Sequence, residues 1–393
     1  MTSRSPMHQQ IDTLPDLVRA IANSFDESAR ATFDFELCTS AKRIYLVGCG
    51  DSYHAPVGAE LAFNLFAGVP TQAISSLTFS RYVVPFLPPT GPKTNLVIAV
   101  SVSGVVSRTI EALRLARQAG AVGVALTGTP GAPLAQSAER VFKTTVPPLP
   151  DELAGMVVPG VRSYLASQMA LYLAAIRIGE VRGHLTTTRA DALRAELAAQ
   201  ADLMEATIEA CEPVARELMQ AWTDIPEFVY VGAGPLYGVA MFSAAKMLEA
   251  SGDPAMAQET EEWAHLQYFS RRADTPTVLI SAGVRDADRM AEVARAAKSI
   301  GRCVIGVLPE NETVIRAYVD YVLPVKGAVR EAFAPLVFSI PGELLAAERT
   351  VALGETYFRG WGGGRTVDWA DGASRIRDSH LIETLDELRA LEQ

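Results

Sequence analysis

Short apolar runs alternate along most of this chain with longer stretches whose apolar positions recur at helical spacing. Residues 43–48 (RIYLVG) predict a strand and residues 53–66 a helix behind it; 95–104 (NLVIAVSVSG) predict a second strand, followed by a helix over Thr109–Gln118. The run 121–128 (AVGVALTG) predicts a third strand, then a helical stretch and a closing strand around Val141–Val146. The plan repeats with strands at 227–234, 275–283, 302–310 and 318–325, separated by helices over Tyr237–Ala250, Ala287–Ile300 and a stretch ending before 318. Apolar strands alternating with helices are the pattern of a parallel sheet covered on both faces. The predicted class is α/β, with two tandem doubly wound parallel-sheet domains and bridging helices.

The expected organisation is a helical segment over 1–40, with one helix at about 12–38. A first α/β domain over 41–160, bridging helices over 161–222 and a second α/β domain over 223–350 follow. A C-terminal tail or lid covers 351–393; its Gly-rich part, 357–380, reads as an ordered loop, with a short helix at 380–391. Gly48-Cys-Gly50 and Gly232-Ala-Gly234 sit at equivalent points of the two halves, as do SVSG (101–104) and ISAG (280–283), which points to internal duplication.

Composition removes some function classes. A net charge of −10 with no run of Lys or Arg disfavours nucleic acid and anionic membranes. No apolar stretch approaches the roughly 20 residues needed to cross a bilayer, and no leader pattern opens the chain, so a cytoplasmic protein is expected. Cys38, Cys49, Cys211 and Cys303 are scattered without CxxC pairing, and the five histidines show no HxH or HExxH spacing. No metal and no cofactor is expected.

The chemistry gathers at turns. After the first strand, Gly50, Asp51 and Ser52 lead into a helix, and after the second, Ser101, Ser103, Gly104, Ser107 and Arg108 do the same. Two donor-rich turns at the ends of neighbouring parallel strands form a cradle for an anion, although each serine reads equally as a helix cap. In the second half, Lys246 and Glu249 lie three apart on one helix face, and ETEEWAHL (259–266) sets carboxylates before His265. A carboxylate and an imidazole in one cleft can move a proton on carbon beside a carbonyl. A surface ion pair and a structural histidine are the alternatives.

The motifs GCGDSYHA (48–55), SVSG (101–104), GAGPLYGVAMFSAAKMLEAS (232–251) and EEWAHL (261–266) resemble the SIS, or sugar isomerase, family. Within it they are most similar to the isomerase part of the glutamine–fructose-6-phosphate aminotransferases. The resemblance covers roughly residues 20–350. It implies that Glu249 moves a proton between C1 and C2 of an open-chain sugar. Lys246 would support that carboxylate, and His265, donated by a neighbouring subunit, would assist ring opening. It also implies a homodimer or higher homo-oligomer acting on a small sugar. Three departures qualify the match: Asp51 stands where the family has threonine, Val106 replaces a threonine of the phosphate loop, and no lysine follows Lys326. With no glutamine-hydrolysing segment ahead of the match, ammonia transfer is not expected.

The expected activity is therefore aldose–ketose isomerisation of a sugar phosphate or other anionic hexose derivative. The alternatives are an amino-sugar-phosphate deaminase, a sugar–amino acid phosphate deglycase, or a noncatalytic sugar-binding protein. Asp51 leaves open whether the anion is phosphate, sulfonate or absent; Arg108 and the tail residues Arg365, Arg375 and Arg377 are candidate counter-charges.

Overall fold

The computed structural model describes residues 4–87, 93–360 and 380–391. The chain divides into two units. One comprises Ala20–Pro147, Ser163–Ala198 and Val367–Gln393; the other comprises Met1–Arg19, Pro148–Arg162 and Ala199–Thr366. Each is α/β and is built on a five-stranded parallel sheet, and helices connect the two sheets along the chain.

In the first unit the strands are β1 (Arg43–Gly48), β2 (Thr71–Ser75), β3 (Asn95–Val100), β4 (Val122–Thr127) and β5 (Arg140–Lys143), in the order β2-β1-β3-β4-β5. Every pairing is parallel. β3 and β4 are buried at all six positions, which is why they are written as unbroken apolar runs. β2 was not expected: TQAIS lies at the sheet edge, with only Thr71 and Ile74 buried, so no apolar run marks it. The Arg162–Val181 helix buries every side chain from Tyr164 to Ile176, as an element surrounded by protein must.

The second unit repeats the plan. β6 (Phe228–Gly232), β7 (Ala255–Glu259), β8 (Thr277–Ile280), β9 (Val304–Pro309) and β10 (Tyr321–Val325) pair in the order β7-β6-β8-β9-β10, again all parallel. β7 is the edge strand that escaped the pattern here, for the same reason as β2.

The turns coincide as well. Gly50 (φ 56°, ψ −134°) and Gly234 (φ 50°, ψ −126°) hold nearly the same left-handed conformation ahead of their helices. A Cβ on Gly48 or Gly232 would stand 1.8 Å from the Ser52 carbonyl oxygen or 2.4 Å from that of Leu236, so the helix can follow this closely only on glycine.

Several helices depart from expectation. The single helix at 12–38 is two, Leu14–Thr32 and Phe35–Ser40, because Asp34 caps a fresh start by accepting from the Leu37 amide at 2.9 Å. The stretch after β4 is only Pro133–Gln136. Before β10 there is no long helix: the Glu312 carboxylate accepts from the amides of Val314, Ile315 and Arg316 at 2.7–2.9 Å, which holds a loop and leaves one short turn at Arg316–Tyr318. The bridging stretch is three helices, Arg162–Val181, Thr187–Ala198 and Gln200–Ala221. A further helix, Pro335–Leu353, was not foreseen, because its buried run from Pro335 to Thr350 has no polar face to mark a period. Residues 361–379, and with them most of the expected lid, lie outside the described residues; beyond them Leu385–Ala390 is helical. Among the described residues no helix is long and apolar enough to cross a membrane.

Candidate functional site

In the first unit the strand order reverses beside β1, where it is flanked by β2 and β3, and ligands of open parallel sheets sit outside the carboxyl ends of strands at such a reversal. The two serine-bearing turns lie there. Gly50 has no side chain with which to cap the Asp51–Ala62 helix, and its carbonyl accepts from the amides of Tyr53 (2.7 Å) and His54 (2.9 Å). The second turn is built on Ser101, buried, whose Oγ accepts from the Gly104 amide at 3.2 Å. Gly104 is left-handed (φ 67°) and packs where a Cβ would meet that of Ala132 at 2.5 Å. Ser103 is exposed, and Ser107 is buried at the first position of the Ser107–Gln118 helix. Thr109 Oγ1 lies 3.7 Å from Cys49 Sγ and 3.1 Å from Ser76 Oγ, joining the two turns. Gly50, Asp51, Ser52, Ser101, Ser103, Gly104 and Ser107 therefore share one end of one sheet.

Two neighbours alter the electrostatics. Asp51 Oδ1 stands 3.6 Å from His54 Nδ1, so the first turn carries a carboxylate–imidazole pair. Arg108, expected to offset Asp51, is ion-paired with Glu111 and donates to the His380 carbonyl. Arg365, Arg375 and Arg377 lie outside the described residues.

In the second unit the Pro235–Ser251 helix, started by Gly234, carries Lys246 and Glu249 as an ion pair. It is not an ordinary surface pair: the Lys246 side chain is 0% exposed, its ammonium 5.1 Å from the centroid of the Phe242 ring, while that of Glu249 is 33% exposed. The pair thus joins an ammonium shielded from solvent to a carboxylate that solvent reaches. His265 occupies a different setting on the Thr260–Leu266 helix. Trp263 anchors that helix in the core, while the His265 side chain is 67% exposed and its Nε2 lies 3.2 Å from Glu261 Oε1. Hydrogen bonds from Arg289 hold the Glu261 carboxyl below its usual range.

Two groups escaped sequence reasoning. Glu111 is fully buried yet ionic; its helical spacing to Arg108 was visible, its burial was not. His8, Glu212 and Glu348, drawn from three distant helices, place ligand-type atoms within 4.8 Å of one another, all buried. Arg4 and Arg216 bond Glu212, and Arg216 approaches Glu348 at 3.4 Å, so guanidinium groups already balance these carboxylates. Burial pushes the His8 imidazole below its ordinary pKa against the pull of Glu348. A recess of about 120 Å³ lined by Asp34, Lys93, Val122 and Arg140 lies at the opposite, amino end of the first sheet, away from the turns.

Residues 37–177 match the SIS domain model. The chain is 28% identical over 342 residues to a glutamine–fructose-6-phosphate aminotransferase [isomerizing] of Gloeobacter violaceus, covering 86% of this chain and 54% of the relative. It spans about half the length of the curated relatives it matches. Among solved structures, the C-terminal domain of glucosamine-fructose-6-phosphate aminotransferase from Francisella tularensis has the same fold, with TM-score 0.75, 20% identity and coverage of 90% of this chain and 97% of that one. Glucosamine-6-phosphate deaminase from Thermotoga maritima also shares it, with TM-score 0.66, 15% identity and coverage of 90% and 97%.

Proposed function

We propose, from the match of residues 37–177 to the SIS domain model and the similarity to the glutamine–fructose-6-phosphate aminotransferases, that this chain is an aldose–ketose isomerase. Its substrate is a sugar phosphate or other anionic hexose derivative. The observation that carries the reading is the Lys246–Glu249 pair, a carboxylate open to solvent over a buried ammonium. Glu249 takes the proton from one of C1 and C2 of the open-chain sugar and returns it to the other, and Lys246 supports that carboxylate through the ion pair. Ser52, Ser101, Ser103 and Ser107, with two helix starts, receive the anion. We assign ring opening to His265 acting in a neighbouring subunit's cleft, a role supported by its exposure. We read each unit as doubly wound, in keeping with the strand order 2-1-3-4-5 that both share.

Incubating 6-phospho, 6-sulfo and unmodified hexoses in D₂O and following them by NMR tests this. Deuterium incorporation at C2 together with ketose formation is expected, and no exchange with any sugar overturns it. Release of amine from an amino sugar phosphate would instead select deamination, the second reading, which the likeness in fold to glucosamine-6-phosphate deaminase favours.

A further inference from the structure

Glu261 and His265 lie four apart on the Thr260–Leu266 helix and so share a face, while Thr260 and Trp263 are buried on the other. His265 Nε2 stands 3.2 Å from Glu261 Oε1. The carboxylate is held from a second helix: Arg289, on Ala287–Ser299, donates from Nε to Glu261 Oε2 at 2.7 Å and from Nη2 to Oε1 at 2.9 Å. That helix packs Met290, Val293 and Ala294 into the same core cluster as Trp263, so the guanidinium and the carboxylate are carried by elements fixed on one core. Arg289 also bonds Glu292 at 2.6 Å.

An ionised carboxylate only accepts hydrogen bonds, and those from Arg289 hold the Glu261 carboxyl below its usual pKa and hence ionised. The contact with His265 therefore needs the proton on Nε2, and in the neutral ring that leaves Nδ1 as a bare acceptor. Among the described residues the imidazole forms no other hydrogen bond or ion pair.

We propose that Glu261 is a positioning residue for His265: it fixes the neutral ring as the tautomer with a bare Nδ1 and steadies the imidazolium that forms when Nδ1 takes a proton from the closed sugar. The proposal rests on the ring-opening role assigned to His265. The step balances within the sugar. Nδ1 takes the proton of the anomeric hydroxyl, the bond from the anomeric carbon to the ring oxygen breaks as the carbonyl forms, and the imidazolium returns the proton to the former ring oxygen. Between the two transfers the ring is cationic, and the Glu261 carboxylate lies against it. The two bonds from Arg289 keep that carboxylate in one orientation, which a single long side chain at the surface would not hold alone.

Glu261 and Arg289 both reach solvent, so Glu261→Ala and Arg289→Gln leave the fold intact. Nitrogen-15 NMR of the full chain at alkaline pH reads the tautomer: the wild type shows His265 protonated on Nε2 alone, and Glu261→Ala shows both tautomers. For turnover, 6-phosphofructose and 6-sulfofructose, which close through O5, are compared with their 5-deoxy counterparts, which cannot close. Glu261→Ala lowers kcat for the closing sugars about tenfold, short of the roughly 10²-fold that loss of an acid–base group itself produces. KM for these sugars, and turnover of the 5-deoxy sugars, stay within about twofold of the wild type. Arg289→Gln gives a smaller loss of the same selectivity. Unchanged kcat in Glu261→Ala, equal slowing of closing and 5-deoxy sugars, or a tautomer that ignores Glu261→Ala overturns the proposal. In each of these cases deuterium exchange at C1 that Glu249→Gln abolishes keeps the isomerase reading standing. A wild type that exchanges neither fructose removes the proposal together with the anionic ketose as substrate.

Discussion

Glu249 and Lys246 differ in what surrounds them, and that difference separates their mutational signatures. Glu249 reaches solvent, so Glu249→Gln preserves the fold and ligand binding and lowers turnover by at least about 10²-fold, the usual scale of a lost general base. Turnover near wild type removes the assignment. Lys246→Met replaces a buried ammonium by an apolar chain of similar length and leaves behind a carboxylate that water can solvate. Its thermal midpoint should therefore change little or rise, while kcat falls. A loss of many degrees would mean that the ammonium holds the fold rather than the reaction. The three-residue spacing of this pair was legible in the sequence; the burial of one partner was not, because it depends on Phe242 and on the Pro335–Leu353 helix packed nearby.

At the level of elements, strands flanked on both sides were legible, as were the edge strands β5 and β10, whereas the edge strands β2 and β7 were not. β3 and β4 bury every residue and announce themselves as apolar runs, whereas TQAIS and AMAQE border solvent and look like loops. The Pro335–Leu353 helix failed for the opposite reason, since a helix buried all round has no periodic face. Arg108 illustrates the same limit within the site: its type suggested a substrate counter-charge, and only packing showed that a buried carboxylate and a C-terminal carbonyl claim it. A pH dependence follows from that packing. Glu111 titrates below its ordinary value of 4.5 in the folded chain, so its contribution is complete above 4.5 and is lost as pH falls through the folded value. Acidification below pH 4.5 should release residues 380–391, read as faster proteolysis there while the β1–β5 core still holds. In Glu111→Gln that acid-dependent step should be absent, and its persistence would place the titrating group elsewhere.

For the whole molecule the decisive question is assembly. His265 is exposed and engaged by Glu261, on the same helix, so the reading that it serves a neighbouring subunit predicts complementation. Glu249→Gln and His265→Ala, each inactive alone, should regain activity after subunit exchange, approaching one working site per mixed dimer. Proven heterodimers that stay inactive would confine the site to a single chain. The duplication was legible from the paired Gly-x-Gly turns, and the equal strand orders extend it through both sheets. What the sequence did not disclose is the interleaving. Among the described residues the unit boundaries fall at 19/20, 147/148, 162/163 and 198/199, and the first lies inside the Leu14–Thr32 helix, whose periodic pattern runs on unbroken across it.

The matched turns also supply an experimental calibration inside one polypeptide. Gly50 and Gly234 hold φ of 56° and 50°, and at neither would an added Cβ meet an atom of the described residues within 4 Å. Alanine therefore imposes at both a similar backbone strain, on the order of 1–3 kcal/mol for a residue held in so sparsely populated a φ/ψ region, and no collision. If only the first turn receives the sugar's anion, Gly234→Ala reports the strain alone and Gly50→Ala reports strain plus obstruction of the ligand. Subtracting one from the other in a binding titration isolates how closely the backbone and the anion approach, a quantity for which most proteins offer no internal reference.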